Sequence, residues 1–421
     1  MSYSAVPRSD FPIFERTVRD GQPLVYLDTG ATSQRPRQVL ERVWEMDTHF
    51  NGAVKRGSHL LAEEATTAYE EARVKVATLV GADPEEIVWT SGSTQSLNLI
   101  AYVLSNVAAG RGGVEAQRLR IGAGDNVVVT RAEHHANLIP WQELCLRTGS
   151  QLRWMDLSTD GRIDLNTLNV IDEHTRLVAF THVSNVSGAV SPVLQIVQAA
   201  RAVGALTVLD ACQSVPHMLV DFHGLGVDFA AFSGHKMLGP TGVGVLYGRR
   251  ELLEIIPPYQ FGGSMIELVT MEKTTYASPP ARFEAGTQPV AQVVGLAAAA
   301  DYLLAVGMDK IAAHEEDLTR RLLDGVSSIP GVRLLGPEDT SNRGGAVSVD
   351  VEGVHPHDVG QFLDSKGIAV RVGHHCAQPI HQHFGVYAST RASLGPYNTS
   401  DEVDFFLDHL AEVRRYFRVG D

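Results

Sequence analysis

The chain has 421 residues, 44% of them apolar and 20% charged, a profile of a soluble globular protein with room for two or three domains. Lysine and arginine number 35 against 49 aspartates and glutamates, a net charge of −14 with no basic run, which excludes a nucleic-acid partner. Cys145, Cys212 and Cys376 are too few and too far apart for a disulfide framework or a cysteine-only zinc site.

The opening stretch, MSYSAVPRSDFPIFERTVRDG, lacks the apolar core of a secretion signal. The longest apolar run, 293–306, contains Asp301 and falls short of the roughly 20 residues that span a bilayer. A cytosolic protein without a membrane partner is therefore expected. From Ile87 to Gly248, short β-branched runs alternate with helical periodicity. Strands are predicted at IVWT (87–90), NVVVT (126–130), LRWMD (152–156), LVAFTHVSN (177–185), LTVLD (206–210), VDFAAFSG (227–234) and GVGVLYG (242–248). Many are apolar throughout, as strands covered on both faces must be. The segments between them, such as SPVLQIVQAARAVG, repeat their apolar residues every three or four positions. The fold class is therefore α/β, a mostly parallel sheet flanked by helices.

The segment 110–119, GRGGVEAQRL, reads as a surface insertion. Near residue 308 the character changes to a mixture of helices (DKIAAHEEDLTRRLLDGV, HPHDVGQFLDSKG, TSDEVDFFLDHLAEVRRYF) and strands (VRLL, GAVSVDVEG, GIAVRV). The expected organisation is a large domain over 25–300 and a smaller α+β domain formed by 1–24 and 301–421.

In open parallel sheets, ligands collect beyond the carboxyl ends of the strands. There, WTSGSTQSLN sets Ser91, Gly92, Ser93 and Thr94 before a helix, where free N–H groups and hydroxyls suit a phosphate or simply cap the helix. LTVLDACQS ends a strand in Asp210, either a helix cap or a buried carboxylate that needs a cation. FSGHKMLGPTGVG places Lys236 after a later strand, as a surface lysine or as an amine held for imine chemistry. EHHANLIPW adds His134 and His135, flat rings able to stack or to shuttle protons, or to serve the structure alone. An anion cradle, a strand-end aspartate and a lysine occurring together are what pyridoxal 5′-phosphate (PLP) requires.

SGHK, with DACQ, EHHAN, THVSN and the C-terminal RVGHHCAQP and RASLGPYN, resembles the SufS-type cysteine desulfurases, the second group of the NifS-like, fold-type-I PLP enzymes. The similarity runs from about Tyr26 to the C-terminus. It implies a large PLP-binding domain like that of aspartate aminotransferase, with a smaller domain carrying a catalytic cysteine. By the resemblance, Lys236 binds the cofactor covalently and acts as general base, Asp210 pairs with the pyridine nitrogen, His134 stacks on the ring, and Gln213 bonds its phenolic oxygen. Ser93, Thr94, Ser233 and His235 would hold the phosphate. Thr287 would reach the phosphate of a second subunit, which implies a homodimer. Asn185 and Arg391 match the groups that grip the substrate carboxylate, with Arg371 beside them.

In this setting Cys376 is expected to attack the sulfur of L-cysteine. L-alanine would leave, and the persulfide would pass to an acceptor protein for iron–sulfur cluster assembly. Thiolate is the nucleophilic form, and Arg371, His374 and His375 supply cationic neighbours. The rival readings are a buried structural cysteine and a metal site built with His381 and His383. His357 matches a histidine that, in the branch using the zinc-bearing acceptor SufU, exchanges a zinc ligand with its partner; a solvated helix-start histidine is the alternative. No intrinsic metal is expected. Cys145 is expected in the core. Gly395-Pro396 departs from the family pattern, with an altered backbone expected around Tyr397 and Asn398. A selenocysteine lyase, a cysteine sulfinate desulfinase, a kynureninase-like hydrolase and a non-catalytic PLP-binding regulator remain the alternative functions.

Overall fold

Seven strands form the central sheet of the computed structural model, which describes residues 3–419. They are β1 (Ile87–Thr90), β2 (Asn126–Thr130), β3 (Gln151–Met155), β4 (Thr175–Thr181), β5 (Leu206–Asp210), β6 (Phe229–Ser233) and β7 (Gly244–Gly248), one for each predicted run. Their spatial order is β1-β7-β6-β5-β4-β2-β3, and within this sheet β7 alone runs against its neighbours. Every residue of β1, β2, β6 and β7 is buried. The period of two divides their side chains between the faces. Val128, Val178 and Leu209 pack with the helix Val290–Val306 on one side, while Val127, Leu177 and Val208 pack with the helix Ser93–Ala108 on the other.

The run predicted as 177–185 leaves the sheet after Thr181. His182 N–H donates to Asp210 O (2.9 Å), and Ser184 N–H to Ala189 O (2.9 Å), so the chain folds back over the strand ends. That turn brings Asn185 above the carboxyl edge of the sheet. The 110–119 segment is exposed apart from its buried Ala116 and part-buried Gln117 and Leu119.

The smaller domain is a four-stranded antiparallel sheet: β8 (Val332–Leu334), β9 (Ala346–Val351), β10 (Arg371–Gly373) and β11 (Ser389–Ser393), in the order β8-β9-β11-β10. Its core joins Val347 and Val349 to Leu318, Leu322, Phe406 and Leu410 from the helices Met308–Ser327 and Ser400–Tyr416. The expected strand GIAVRV is split. Ile368–Ala369 pairs in parallel with Val25–Tyr26, and Arg371–Gly373 joins the small sheet.

That pairing corrects the domain bounds. Val25 and Leu27 are buried in the small-domain core, so 25–28 part from the 25–300 domain. The 1–24 segment is tied to the smaller domain by Ala5 N–H to Pro396 O (3.0 Å), Arg8 to Glu402 (2.7 Å) and Arg19 to Asp364 (2.7 Å), while Val6 and Phe11 also join the core that underlies the large sheet. The joint expected at 300/301 is Gly307, between the helices Val290–Val306 and Met308–Ser327. Residues 1, 2, 420 and 421 of the expected small domain lie outside those described.

An edge strand leaves backbone donors unpaired. On β1, Trp89 N–H is satisfied by the Glu284 carboxylate (2.9 Å), which also accepts Tyr69 OH (3.0 Å) and a two-pronged contact from Arg73 (2.7 and 3.0 Å). Arg73 in turn donates to Ile87 O (2.6 Å). Removing one member of a buried pair leaves an uncompensated charge. Glu284→Ala is accordingly expected to lower the unfolding free energy by about 3–5 kcal/mol in denaturant titrations.

Candidate active site

The helix Ser93–Ala108 begins without a side-chain cap, after Gly92 at φ 156°. Ser93 N–H donates to Ser233 Oγ (2.9 Å), and the two serine hydroxyls meet at 3.0 Å. Thr94 stands exposed beside them. An open helix N-terminus with hydroxyls around it is an anion site by construction.

Three places along the sheet from β1, β5 carries Asp210 at its end. Oδ1 accepts the Cys212 N–H (3.1 Å), and Oδ2 has no hydrogen-bond partner among the described residues. Lys236 follows β6 and lies close enough to Asp28, His134, His235 and Cys212 for its charge to act on all four. His134 Nδ1 accepts Ala136 N–H (3.0 Å), so in the neutral ring Nε2 carries the proton. Hydroxyls and open amides for a phosphate, a carboxylate oxygen for a ring nitrogen and an amine for an aldehyde are the donor set that PLP needs.

Not every expected ligand converges. Gln213 donates to Gly30 O (2.8 Å). The His235 ring meets Thr32 Oγ1 (3.2 Å) rather than the serine pair. Thr287 is exposed, with no hydrogen-bond partner among the described residues. His357 is also exposed, in the first turn of the helix Pro356–Ser365.

Cys376 arrives from the other domain. β10 ends at Gly373, and the next residues turn sharply, with His375 at φ 50° and Cys376 at φ 56°. Left-handed backbone at a non-glycine residue costs on the order of 1–3 kcal/mol and persists only where the surroundings over-determine it. Here the large domain holds both carbonyls. His135 N–H donates to Cys376 O (2.6 Å), and Asn185 Nδ2 to His375 O (2.7 Å). The sulfur, half-buried, faces Arg371 Nη2 at 3.6 Å.

Arg371 and Arg391 lie directly opposite each other on β10 and β11, and so on one face of the small sheet. Two like charges so placed repel unless anions lie between them. Arg391 is 1% exposed; it donates to Asn185 O (2.9 Å) and Asp28 Oδ1 (3.3 Å), and its Nε has no partner among the described residues. Burial pushes this guanidinium down to about 10 despite Asp28. A buried fork with an unused donor is a ready seat for a carboxylate.

The metal reading of this cluster is overturned by its hydrogen bonds. His381 uses both ring nitrogens, toward Ala377 O and Ser389 Oγ (2.9 Å each), and His383 turns away to Ser158 O (2.9 Å). Cys145 is buried in the core, as expected. Around Gly395-Pro396 the turn closes tightly, with Gly395 N–H donating to Asn398 Oδ1 (2.8 Å) and Asn398 N–H to Gly395 O (3.1 Å). A Cβ at Gly395 would fall 2.9 Å from Thr29 Oγ1, so the site requires glycine.

Sequence reasoning missed Asp28, whose LDTG setting looks like an ordinary turn. It also missed Ser389 and did not find the buried role of Glu133. The Glu133 carboxyl accepts Thr130 Oγ1 (2.5 Å), Asn137 Nδ2 (2.5 Å) and Thr181 N–H (3.0 Å), and burial pushes it up to about 8. Position next to His134 was the one available signal.

Burial also drives the histidines to neutrality. It pushes His134, His182 and His235 each down to about 4, with Lys236 adding to the shift at His134 and His235, and holds His375 well below the usual imidazole range. As pH falls below 6.5 the unfolded chain takes up these protons first, so stability drops between 6.5 and about 4. Glu133 acts oppositely, because the folded chain protonates it first, but it is one group against several rings. The thermal midpoint is expected to fall from about pH 7 to about pH 5, and His182→Asn to flatten that slope in scanning calorimetry.

Known proteins share this arrangement at several levels. The aminotransferase class-V family matches residues 25–406. A protein of Mycobacterium leprae named probable cysteine desulfurase 2 is 58% identical over 411 residues, covering 97% of this chain and 96% of the relative. A probable cysteine desulfurase of Streptomyces coelicolor is 50% identical, covering 97% of each. Among solved structures, the apo cysteine desulfurase of Thermococcus onnurineus NA1 superposes with a TM-score of 0.90 at 37% identity, covering 99% of this chain and all of that one. On this evidence the chain belongs to the aminotransferase class-V family, within its cysteine desulfurase branch.

Proposed function

We propose that this chain is a PLP-dependent cysteine desulfurase that converts L-cysteine to L-alanine and takes the sulfur onto Cys376 as a persulfide. The observation that carries the reading is the docking of the Cys376 loop, by His135 N–H and Asn185 Nδ2, onto the turns that follow β2 and β4, in the same sheet whose β5 and β6 lead to Asp210 and Lys236.

When bound, PLP acts as the electron sink that makes the substrate Cα–H acidic. The remaining work falls to the chain. Arg391, its guanidinium desolvated, seats the substrate carboxylate. Asp28 and Asn185 O hold that fork in place. Lys236 takes the proton at Cα as general base, and neutral His134 presents its Nε2–H over the site. Cys376 Sγ, next to the Arg371 guanidinium, attacks the substrate sulfur. An S–S bond forms, the Cβ–S bond breaks, and its electron pair stays with carbon, which protonation completes as L-alanine.

The homodimer is part of the proposal. Thr287 is exposed and finds no hydrogen-bond partner among the described residues, which supports a role at the phosphate of a second copy. The sulfur acceptor proposed is a zinc-bearing, SufU-like protein. His357 is exposed on a helix whose Pro356 O meets Thr390 Oγ1 (3.4 Å) of the small sheet, and Thr390 pairs with Val372 in the strand leading to Cys376.

Two sets of variants test this. Lys236→Ala and Cys376→Ala are each expected to lower alanine release from L-cysteine by at least about a thousandfold. The Cys376→Ala enzyme should still cleave L-selenocysteine, since that chemistry needs no enzyme thiol. A Cys376→Ala enzyme that desulfurates cysteine normally removes the persulfide from the mechanism. For the acceptor, His357→Ala should weaken the stimulation of turnover by a zinc-loaded SufU-like protein, and undiminished stimulation rejects that partner.

A further inference from the structure

Three buried side chains around the sulfur loop have no part in the mechanism above. Ser389, His375 and His381 are 0%, 2% and 1% exposed. Ser389 Oγ lies 2.9 Å from His375 Nε2 and 2.9 Å from His381 Nε2, and His381 Nδ1 lies 2.9 Å from Ala377 O. The carbonyl fixes the proton pattern. Ala377 O can only accept, so His381 Nδ1 carries the hydrogen and Nε2 of the neutral ring bears a lone pair. The Ser389 hydroxyl then donates to that lone pair and accepts His375 Nε2–H. No other arrangement of neutral rings makes all three contacts hydrogen bonds.

The circuit runs from the ring of His375 through Ser389 and His381 back to the carbonyl of Ala377. It therefore clasps both residues that flank Cys376. Its anchor is Ser389, the first residue of β11, paired with Gly373 at the end of β10, where the loop departs. Among the described residues the His375 ring makes no other hydrogen bond, since its Nδ1 is buried without a partner there. Asn185 and His135 hold the carbonyls of His375 and Cys376 from the large domain, and the circuit holds the same turn from the small one.

We infer that Ser389 and His381 are positioning residues for Cys376, keeping two consecutive non-glycine residues in left-handed backbone so that the sulfur stands at the cleft. This rests on the desulfurase reading. None of the circuit's side-chain hydrogen bonds goes to the cofactor cradle or to Arg391, so its loss should uncouple sulfur transfer from Cα chemistry. Without the Ser389 hydroxyl, the buried His375 ring has no hydrogen bond at all, and the strained turn is free to relax.

The test compares Ser389→Ala and Ser389→Thr holoenzymes by three readouts. Desulfuration of L-cysteine should fall at least about tenfold in kcat in Ser389→Ala, the scale of an ångström-level misplacement, with KM changed by less than about threefold. Exchange of the α-proton of L-alanine in heavy water, which needs PLP and Lys236 but no enzyme sulfur, should stay within about twofold. Amide hydrogen exchange across 374–378 should accelerate while that of β9 does not. Ser389→Thr, which keeps the hydroxyl, should recover most of the lost kcat. Full desulfuration by Ser389→Ala, equal loss of proton exchange and desulfuration, unchanged amide exchange, or no recovery with threonine each overturns the assignment. An unaltered enzyme that exchanges the alanine α-proton yet releases no sulfur from cysteine overturns the functional reading instead.

Discussion

Two hydrogen bonds across the domain boundary decide whether this molecule has a site at all. Lys236 and Asp210 stand on the sheet of one domain and Cys376 on a loop of the other. His135 N–H and Asn185 Nδ2 close that gap by taking the carbonyls of Cys376 and His375. Both donors sit on turns beyond strands that are buried except at Arg176, so the large domain offers them on a rigid edge. The loop they receive is strained, and strain of that kind survives only where several contacts agree.

The same boundary concentrates positive charge in an acidic chain. Arg371 and Arg391 face each other on adjacent strands, an arrangement that would push the small sheet apart without compensation. Asp28 supplies part of it from the segment that joins the small domain as Val25–Tyr26. In the proposed function the rest comes from the sulfur beside Arg371 and from a substrate carboxylate at Arg391. Burial favours the neutral forms of His134 and His375, so these rings offer hydrogen bonds while the arginines carry the charge.

The strands of the large sheet were legible because a strand covered on both faces must be apolar throughout, and such runs stand out between helical repeats. The predicted run 177–185 was too long for a related reason. THVSN stays buried after the strand ends, so hydrophobicity alone shows no boundary there. The attachment of 25–28 to the smaller domain was not legible because the strands that make it are two residues long. Val25–Tyr26 and Ile368–Ala369 carry no periodicity, and their pairing is non-local. His381 was weighed as a metal ligand because histidines near a cysteine look alike in one dimension; its two hydrogen bonds, to Ala377 O and Ser389 Oγ, leave no lone pair free.

What the sequence determined by itself was the chemistry: a lysine, a strand-end aspartate, a serine-rich helix start and one cysteine among histidines, each set by local residue type and its place after an apolar run. Only the tertiary structure decided which of these meet. It brought in Asp28 and Ser389, turned His235 and Gln213 toward other partners, and left Thr287 at the surface. A residue's type and its local strand or helix are encoded within a few positions of it, whereas its partners across a domain boundary depend on how two separately packed cores come to rest against each other.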